Sequence, residues 1–362
     1  MKRLRFKKTA LIIILALFSG FSLRAGEDEY SKKLHKEYAV TAETQFNIIN
    51  KYGDVNITNW DKNQVVIDVV ITVDHRREEK ARELLEYLNV NFTESENTIT
   101  AETEIDDKFN KSGWFFNFDS DNKDFSIDYT IKMPSKLNLA VENKYGNVFI
   151  DEVTGHADIT VKYGNLKANK VMRDNSKPLS HVYLAYSDGT VEESNWLKIT
   201  LKYSKLEIDE SKALIAVTKY SKLYNDKTSS LVCESKYDHY YLGTISNLVA
   251  EAKYTDFKID QLNKKLDIET RYGDLEIDHV PASFEDLTID NKYGHLDIEI
   301  DNGASYKLKG EAEYGDIDYP SDSKLSRIEE NSDLRISGTV GKDQNTKSTV
   351  TIDTKYGSVD LK

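Results

Sequence analysis

Apolar and polar residues alternate with a period of two along most of this chain, and the alternation breaks at regular intervals. Leu197, Ile199, Leu201 and Tyr203 fall on one face, and Lys198, Thr200 and Lys202 on the other. After Tyr203 the phase slips by one residue, and Leu206 and Ile208 resume it. Leu266, Ile268, Thr270 and Tyr272 followed by Leu275 and Ile277 repeat the pattern, as do Leu287, Ile289, Asn291 and Tyr293 followed by Leu296 and Ile298. A period of two marks a strand with one buried face. A slip at a fixed place predicts a corner. Gly53, Gly146, Gly164, Gly273, Gly294, Gly315 and Gly357 stand at that corner and suit a bend with positive φ, whereas Ser204, Ser221, Asp238 and Thr255 occupy it elsewhere.

The corner belongs to a repeat. From Tyr145 to Tyr314 successive corner tyrosines are separated by 18, 23, 17, 17, 17, 17, 18, 21 and 21 residues. Tyr52 precedes this series. Tyr356 follows Tyr314 after 42 residues, with Leu334–Gly338 where a degenerate copy would fall. A unit this short cannot bury its own apolar face, but units stacked one above another can. The prediction is an all-β fold: a single parallel β-solenoid of about a dozen coils, on the order of 60 Å long at about 4.8 Å per coil. The units are too short for strand–helix–strand crossovers or propeller blades, and tandem β-sandwiches would leave the recurring tyrosine unexplained.

Stacking places like residues in columns. Two positions before each tyrosine, Asn50, Asn143, Leu201, Thr218, Ser235 and their equivalents form an inward column, read here as making room for the tyrosine rings. Cys233 falls in a column with Ile199, Ala216, Ala250 and Ile268, which makes it a small core residue rather than a reactive thiol. Outward, Lys202, Lys219, Lys236, Lys253 and Arg271 continue a basic stripe begun by Lys51, Lys144 and Lys162. It is interrupted at Ala185 and Glu313. Such a stripe is either a solvated sheet face or a repetitive surface for a polyelectrolyte.

Residues 26–135 do not hold the period, although Phe46, Ile48, Asn50 and Tyr52 begin one copy. They are expected to form an N-terminal cap preceding a repetitive solenoid over residues 136–362, because open solenoid ends expose pairing groups and apolar columns. Asp74 can cap a helix over about residues 75–88, with Ala81, Leu84, Leu85 and Leu88 inward. Trp114, Phe115 and Phe116 form an aromatic cluster among acidic residues. It fits a sugar-stacking platform or a half-buried cap strand. Loops are expected at Arg173–His181, Asn225–Ser230 and Ser321–Asp333.

Charge narrows the partners. With 62 acidic against 49 basic residues the net charge is -13, unsuited to a partner held through phosphates, so neither nucleic acid nor an anionic membrane surface is expected. Five basic residues between Lys2 and Lys8 precede the apolar run Ala10–Phe18, which reads as an export signal over residues 1–25. Its removal would take six basic and no acidic residues, bringing the charge to -19. No cysteine lies near the cleavage region to carry a lipid, and no second apolar stretch reaches membrane length. The expected location is therefore the periplasm or cell surface. One cysteine allows no intrachain disulfide, and there is no His-Glu-x-x-His, Gly-x-Ser-x-Gly, phosphate loop or dinucleotide fingerprint. Neither a metal nor a cofactor is expected, although Asp119–Asp124 offers an incomplete calcium-loop pattern.

The Lys-Tyr-Gly repeats, together with Tyr129–Leu139 running into Asn143-Lys144-Tyr145-Gly146-Asn147-Val148, resemble the exported adhesin-like family of bacterial β-solenoids known by the domain of unknown function DUF4097. The resemblance covers most of residues 40–362. It implies the solenoid fold and a bacterial envelope setting, and it carries no catalytic residues. A non-catalytic adhesin or scaffold is expected, binding an envelope glycan or surface protein through Lys202, Lys219, Lys236, Lys253, Arg271, Trp114, Phe115 and Phe116. A β-helix carbohydrate-active enzyme and a structural spacer are the alternatives.

Overall fold

The computed structural model describes residues 29–111, 125–321 and 323–362. The export signal and the Trp114–Phe116 cluster lie outside the described residues, as does the Asp119–Asp124 segment. The rest is an all-β solenoid whose strands join one continuous sheet wound around an aliphatic interior. At its centre the strands Asp188–Lys202, Lys205–Lys219, Lys222–Lys236, His239–Lys253 and Asp256–Arg271 each run nearly a full coil. They pair in parallel, each position one repeat from its equivalent, so Ile199, Ala216, Cys233, Ala250 and Ile268 line up as the repeat predicts. All five are buried. Toward both ends the stretch between two corners splits into two shorter strands, as in Leu275–Val280 and Asp286–Lys292 between Tyr272 and Tyr293.

The tyrosine turns the corner in an unexpected way. Every corner tyrosine has a positive φ, from 51° at Tyr203 to 67° at Tyr52, whereas none of the corner glycines does. The left-handed residue swings its side chain outward, so the alternation breaks at the tyrosine itself. Leu197, Ile199 and Leu201 are fully buried, but Tyr203 is 50% exposed. The expectation that the rings share the inner face is thus corrected, and the small column two residues earlier has another job. Asn50 Nδ2 and Asn143 Nδ2 donate to the Gly53 carbonyl at 3.1 and 3.0 Å, and Asn291 Nδ2 donates to Gly294 at 2.9 Å. These side chains bind the corner backbone from within.

The corner glycine is required by its neighbour rather than by its dihedral angles. A Cβ built on Gly146 would overlap the carbonyl oxygen of Gly53 in the adjacent coil, and one on Gly164 would overlap that of Gly146. In the 17-residue coils the corner side chain points inward and accepts a backbone hydrogen bond from the preceding coil. Ser187 N–H donates to Ser204 Oγ, Ser204 N–H to Ser221 Oγ, Ser221 N–H to Asp238 Oδ1 and Asp238 N–H to Thr255 Oγ1. Asp238 is buried, and its Oδ2 accepts from Thr218, Ser235 and the Lys236 amide at 2.6, 2.7 and 2.8 Å. Those donors satisfy a carboxylate that would otherwise be costly to bury.

Both ends depart from simple succession. At the N-terminal end Gln45–Lys51 lies between Thr98–Ile105 and Asn138–Lys144, and Val55–Asn59 lies between Phe125–Met133 and Val148–Val153. Antiparallel strands Gln64–Asp74 and Glu29–Ala39 close that end. The helix is Glu78–Glu86, shorter than predicted, because Asp74 ends a strand and Arg77 takes the N-cap without a side-chain bond. Ala81, Leu84 and Leu85 do face inward. A short helix, Asp107–Lys111, was not foreseen. At the other end Thr349–Lys355 inserts between Asp286–Lys292 and Tyr306–Glu313. Leu334–Gly338 is not a further coil: Asp333–Val340 runs antiparallel to Tyr306–Glu313. The predicted loop at Asn225–Ser230 lies within a strand, and Lys324–Glu330 is a strand inside the third predicted loop. In both, inter-strand pairing outweighs the local polarity.

Candidate binding face

Outward rotation of the corner residue builds a ladder of twelve stacked tyrosines: Tyr52, Tyr145, Tyr163, Tyr186, Tyr203, Tyr220, Tyr237, Tyr254, Tyr272, Tyr293, Tyr356 and Tyr314. Consecutive centroids are 4.7–5.2 Å apart and no pair of planes is more than 20° from parallel. Because the ring faces are covered by one another, the ladder presents phenol edges and hydroxyls. The sequence repeat located these tyrosines, but alternation assigned them to the wrong side. A left-handed corner leaves no mark in a hydrophobic pattern.

The basic stripe runs beside the ladder. Lys202, Lys219, Lys236, Lys253, Arg271 and Lys292 are direct register neighbours. Lys219 Nζ is 5.3 Å from the Tyr220 ring centre and Lys236 Nζ is 5.4 Å from that of Tyr237. Their cations therefore stand close beside the stacked rings. Two residues earlier on the same outer face lies a second column, Thr200, Val217, Glu234, Glu251, Glu269 and Asp290. Its carboxylates pair with Lys253 at 3.8 Å, Arg271 at 2.6 Å and Lys292 at 4.0 Å. On the far side of the ladder Lys205 and Lys222 continue into His239, Asp256, Asp274 and His295. There His239 Nδ1 lies 3.2 Å from Asp256. An open depression of about 550 Å³ lies over this stretch, lined by His239, Tyr241, Lys258, Asp274, Glu276 and His295.

Among the described residues no group of three or more His, Cys, Asp or Glu side chains is arranged to hold a metal ion. No helix among them is long and apolar enough to cross a membrane. Cys233 is buried as the column predicts, and burial pushes its thiol up to about 12. It is therefore a poor nucleophile.

The repeat with its Lys-Tyr corner, from residue 198 onward, matches the family model described as Toastrack DUF4097 over residues 198–362. Over those residues the chain is similar to the Toastrack DUF4097 family. The match takes in Lys202 through Arg271 and the 17-residue coils, and the Toastrack segment extends through the inserted final coil. No curated protein matches the chain. Solved structures similar to it include a candidate cell adhesion protein from Clostridium sporogenes, 10% identical over 91% of this chain and 99% of that one, with a TM-score of 0.20. Candidate adhesins from Bacteroides fragilis and Parabacteroides distasonis are 8% and 11% identical over 91% of this chain and 97% of theirs, with TM-scores of 0.28 and 0.32.

Proposed function

We propose that this protein is an exported, non-catalytic adhesin-like rod that binds a cell-envelope glycan or a surface protein through its tyrosine–lysine face. The observation that carries the reading is the register itself. One lysine and one tyrosine recur at the same place in coil after coil, so a repeating partner meets the same pair of groups at every step. Within an acidic chain, a positive stripe also orients an approaching anionic partner toward one face. The basic and apolar leader at residues 1–25 supports export.

Replacing Lys202, Lys219, Lys236 and Lys253 together with Ser tests the reading. The side chains are outward, so far-ultraviolet circular dichroism should be unchanged while retention on envelope material in a pull-down falls. Unchanged retention would remove this face from the function. Release of reducing ends from a polysaccharide panel by the purified protein would favour an enzyme instead.

A further inference from the structure

We propose that the binding site proper is confined to the central coils around Tyr203, Tyr220 and Tyr237, and that its ligand is an extended acidic polysaccharide lying parallel to the rod axis with one sugar per coil. This rests on the functional reading above and specifies where on the stripe it applies. Lys253, Arg271, Lys292 and Lys355 are each neutralised by a carboxylate, from Glu251, Glu269, Asp290 and Glu313, and Lys162 by Glu142. Lys202 and Lys219 have no such partner among the described residues, because the acidic column carries Thr200 and Val217 beside them. Lys236, although Glu234 stands two residues before it, and Lys222 also form no ion pair among the described residues; Lys51 and Lys144 form none either, but the place that Lys205 and Lys222 take across the ladder is held in their coils by Asp54 and Asn147. Lys205, paired with Glu207, and Lys222 sit on the opposite side of the same rings. Around Tyr203, Tyr220 and Tyr237 one flank of the ladder therefore carries Lys202, Lys219 and Lys236 without an ion pair and the other adds Lys222, within a chain of net charge -13.

The ligand class follows from spacing and from which atoms are free. Ring centroids at Tyr203, Tyr220 and Tyr237 are 4.8 Å apart, so their faces are closed to a sugar. Their hydroxyls and the neighbouring ammonium groups remain free to donate hydrogen bonds. A carboxylate accepts from both. A pyranose in an extended 1,4-linked chain advances by close to one coil spacing, and because successive units of a β-1,4 ribbon face opposite ways, its carboxylates turn alternately to the Lys219 side and the Lys222 side of the ladder. A β-strand peptide repeats same-side groups at roughly 6.6–6.8 Å and falls out of step after one coil. Val232 and Val249, 47% and 44% exposed, are register neighbours on the outer face, and Val217, 39% exposed, stands one column nearer the cations; they offer apolar contact for the C–H surface of the sugars.

Isothermal titration calorimetry with poly-β-1,4-mannuronate oligomers tests this, with cellohexaose as the neutral oligomer of the same linkage. Mannuronate oligomers should bind, and cellohexaose should not. Lys202→Ser/Lys219→Ser/Lys222→Ser/Lys236→Ser should weaken binding at least tenfold, while Lys253→Ser/Arg271→Ser/Lys292→Ser should change it less than threefold. Affinity should also fall with added salt. Equal losses in the two variants, or equal binding of cellohexaose, would overturn the proposal. If the intact protein binds envelope material but no mannuronate, the acidic-glycan assignment fails and the adhesin reading stands. If it binds neither, both fail.

Discussion

Tyr293 stacks on Tyr356, 5.0 Å away and 63 residues later in the chain, and not on Tyr314, the next corner tyrosine in sequence. Tyr314 stacks on the far side of Tyr356 at 5.1 Å. The coil built from the last strands of the chain is therefore an interior layer. Asn291 Nδ2, which donates to Thr354 Oγ1 at 3.1 Å, ties it to the coil below.

Deleting residues 349–362 should consequently do more than shorten the rod. Val350, Ile352, Val359 and Leu361 are buried, and losing them removes roughly 6–12 kcal/mol of apolar burial. It also leaves Asp286–Lys292 and Tyr306–Glu313 without the strand that joins them. Limited proteolysis should show residues 301–348 becoming cleavable while the central coils stay protected. Unchanged protection of residues 301–348 would contradict the insertion.

The corner glycines can be separated from ordinary turn glycines. Gly146→Ala places a methyl against the Gly53 carbonyl in the adjacent coil and should cost about 3 kcal/mol or more in urea unfolding. Gly303→Ala, in an exposed turn with nothing within 4 Å of the new methyl, should lie within about 0.5 kcal/mol of the parent. Equal effects would show that the close approach between coils is not what selects glycine.

Alkaline pH should destabilise the core through Cys233. Its thiol is raised to about 12 in the folded chain by burial, against an ordinary value near 8.5–9 when unfolded. A group raised on folding contributes fully below the unfolded value. Its contribution is lost as pH rises toward the folded one, because only the unfolded chain releases the proton. Stability should be flat with respect to this group below about pH 8 and decline from about pH 9. Tyr240 and Tyr129, also raised by burial, should add to the decline above about pH 10. Cys233→Ala should flatten the decline between about pH 9 and 10 in denaturant titrations, and an unaltered slope would exclude the thiol as its source. The native thiol should also resist an aromatic disulfide reagent at about pH 8 until the chain is unfolded.

Several elements were legible because their causes are local. Leu197, Ile199 and Leu201 alternate with lysine and threonine because a strand must bury one face, and the 17-residue spacing makes successive coils equivalent. The helix was legible from Ala81, Leu84 and Leu85, but its start was not. Asp74 is held in the antiparallel pair with Glu29, a contact between residues 45 positions apart. The candidate site was legible only as a column. Lys219 and Lys253 occupy the same place in their repeats, and what separates them is whether Val217 or Glu251 stands beside them.

The amino-acid pattern alone determined that this protein is a stacked β-coil, where each coil bends, and which residues form its aliphatic interior. Those follow from strand periodicity and from the need of short units to share a core. The folded arrangement decided that the tyrosines stand outside, that glycine is demanded by a carbonyl in the neighbouring coil, and that the last coil enters between two earlier ones. It also decided which lysines keep an uncompensated charge. Each of these depends on a backbone dihedral or a contact between atoms far apart in the chain, and one-dimensional alternation records neither.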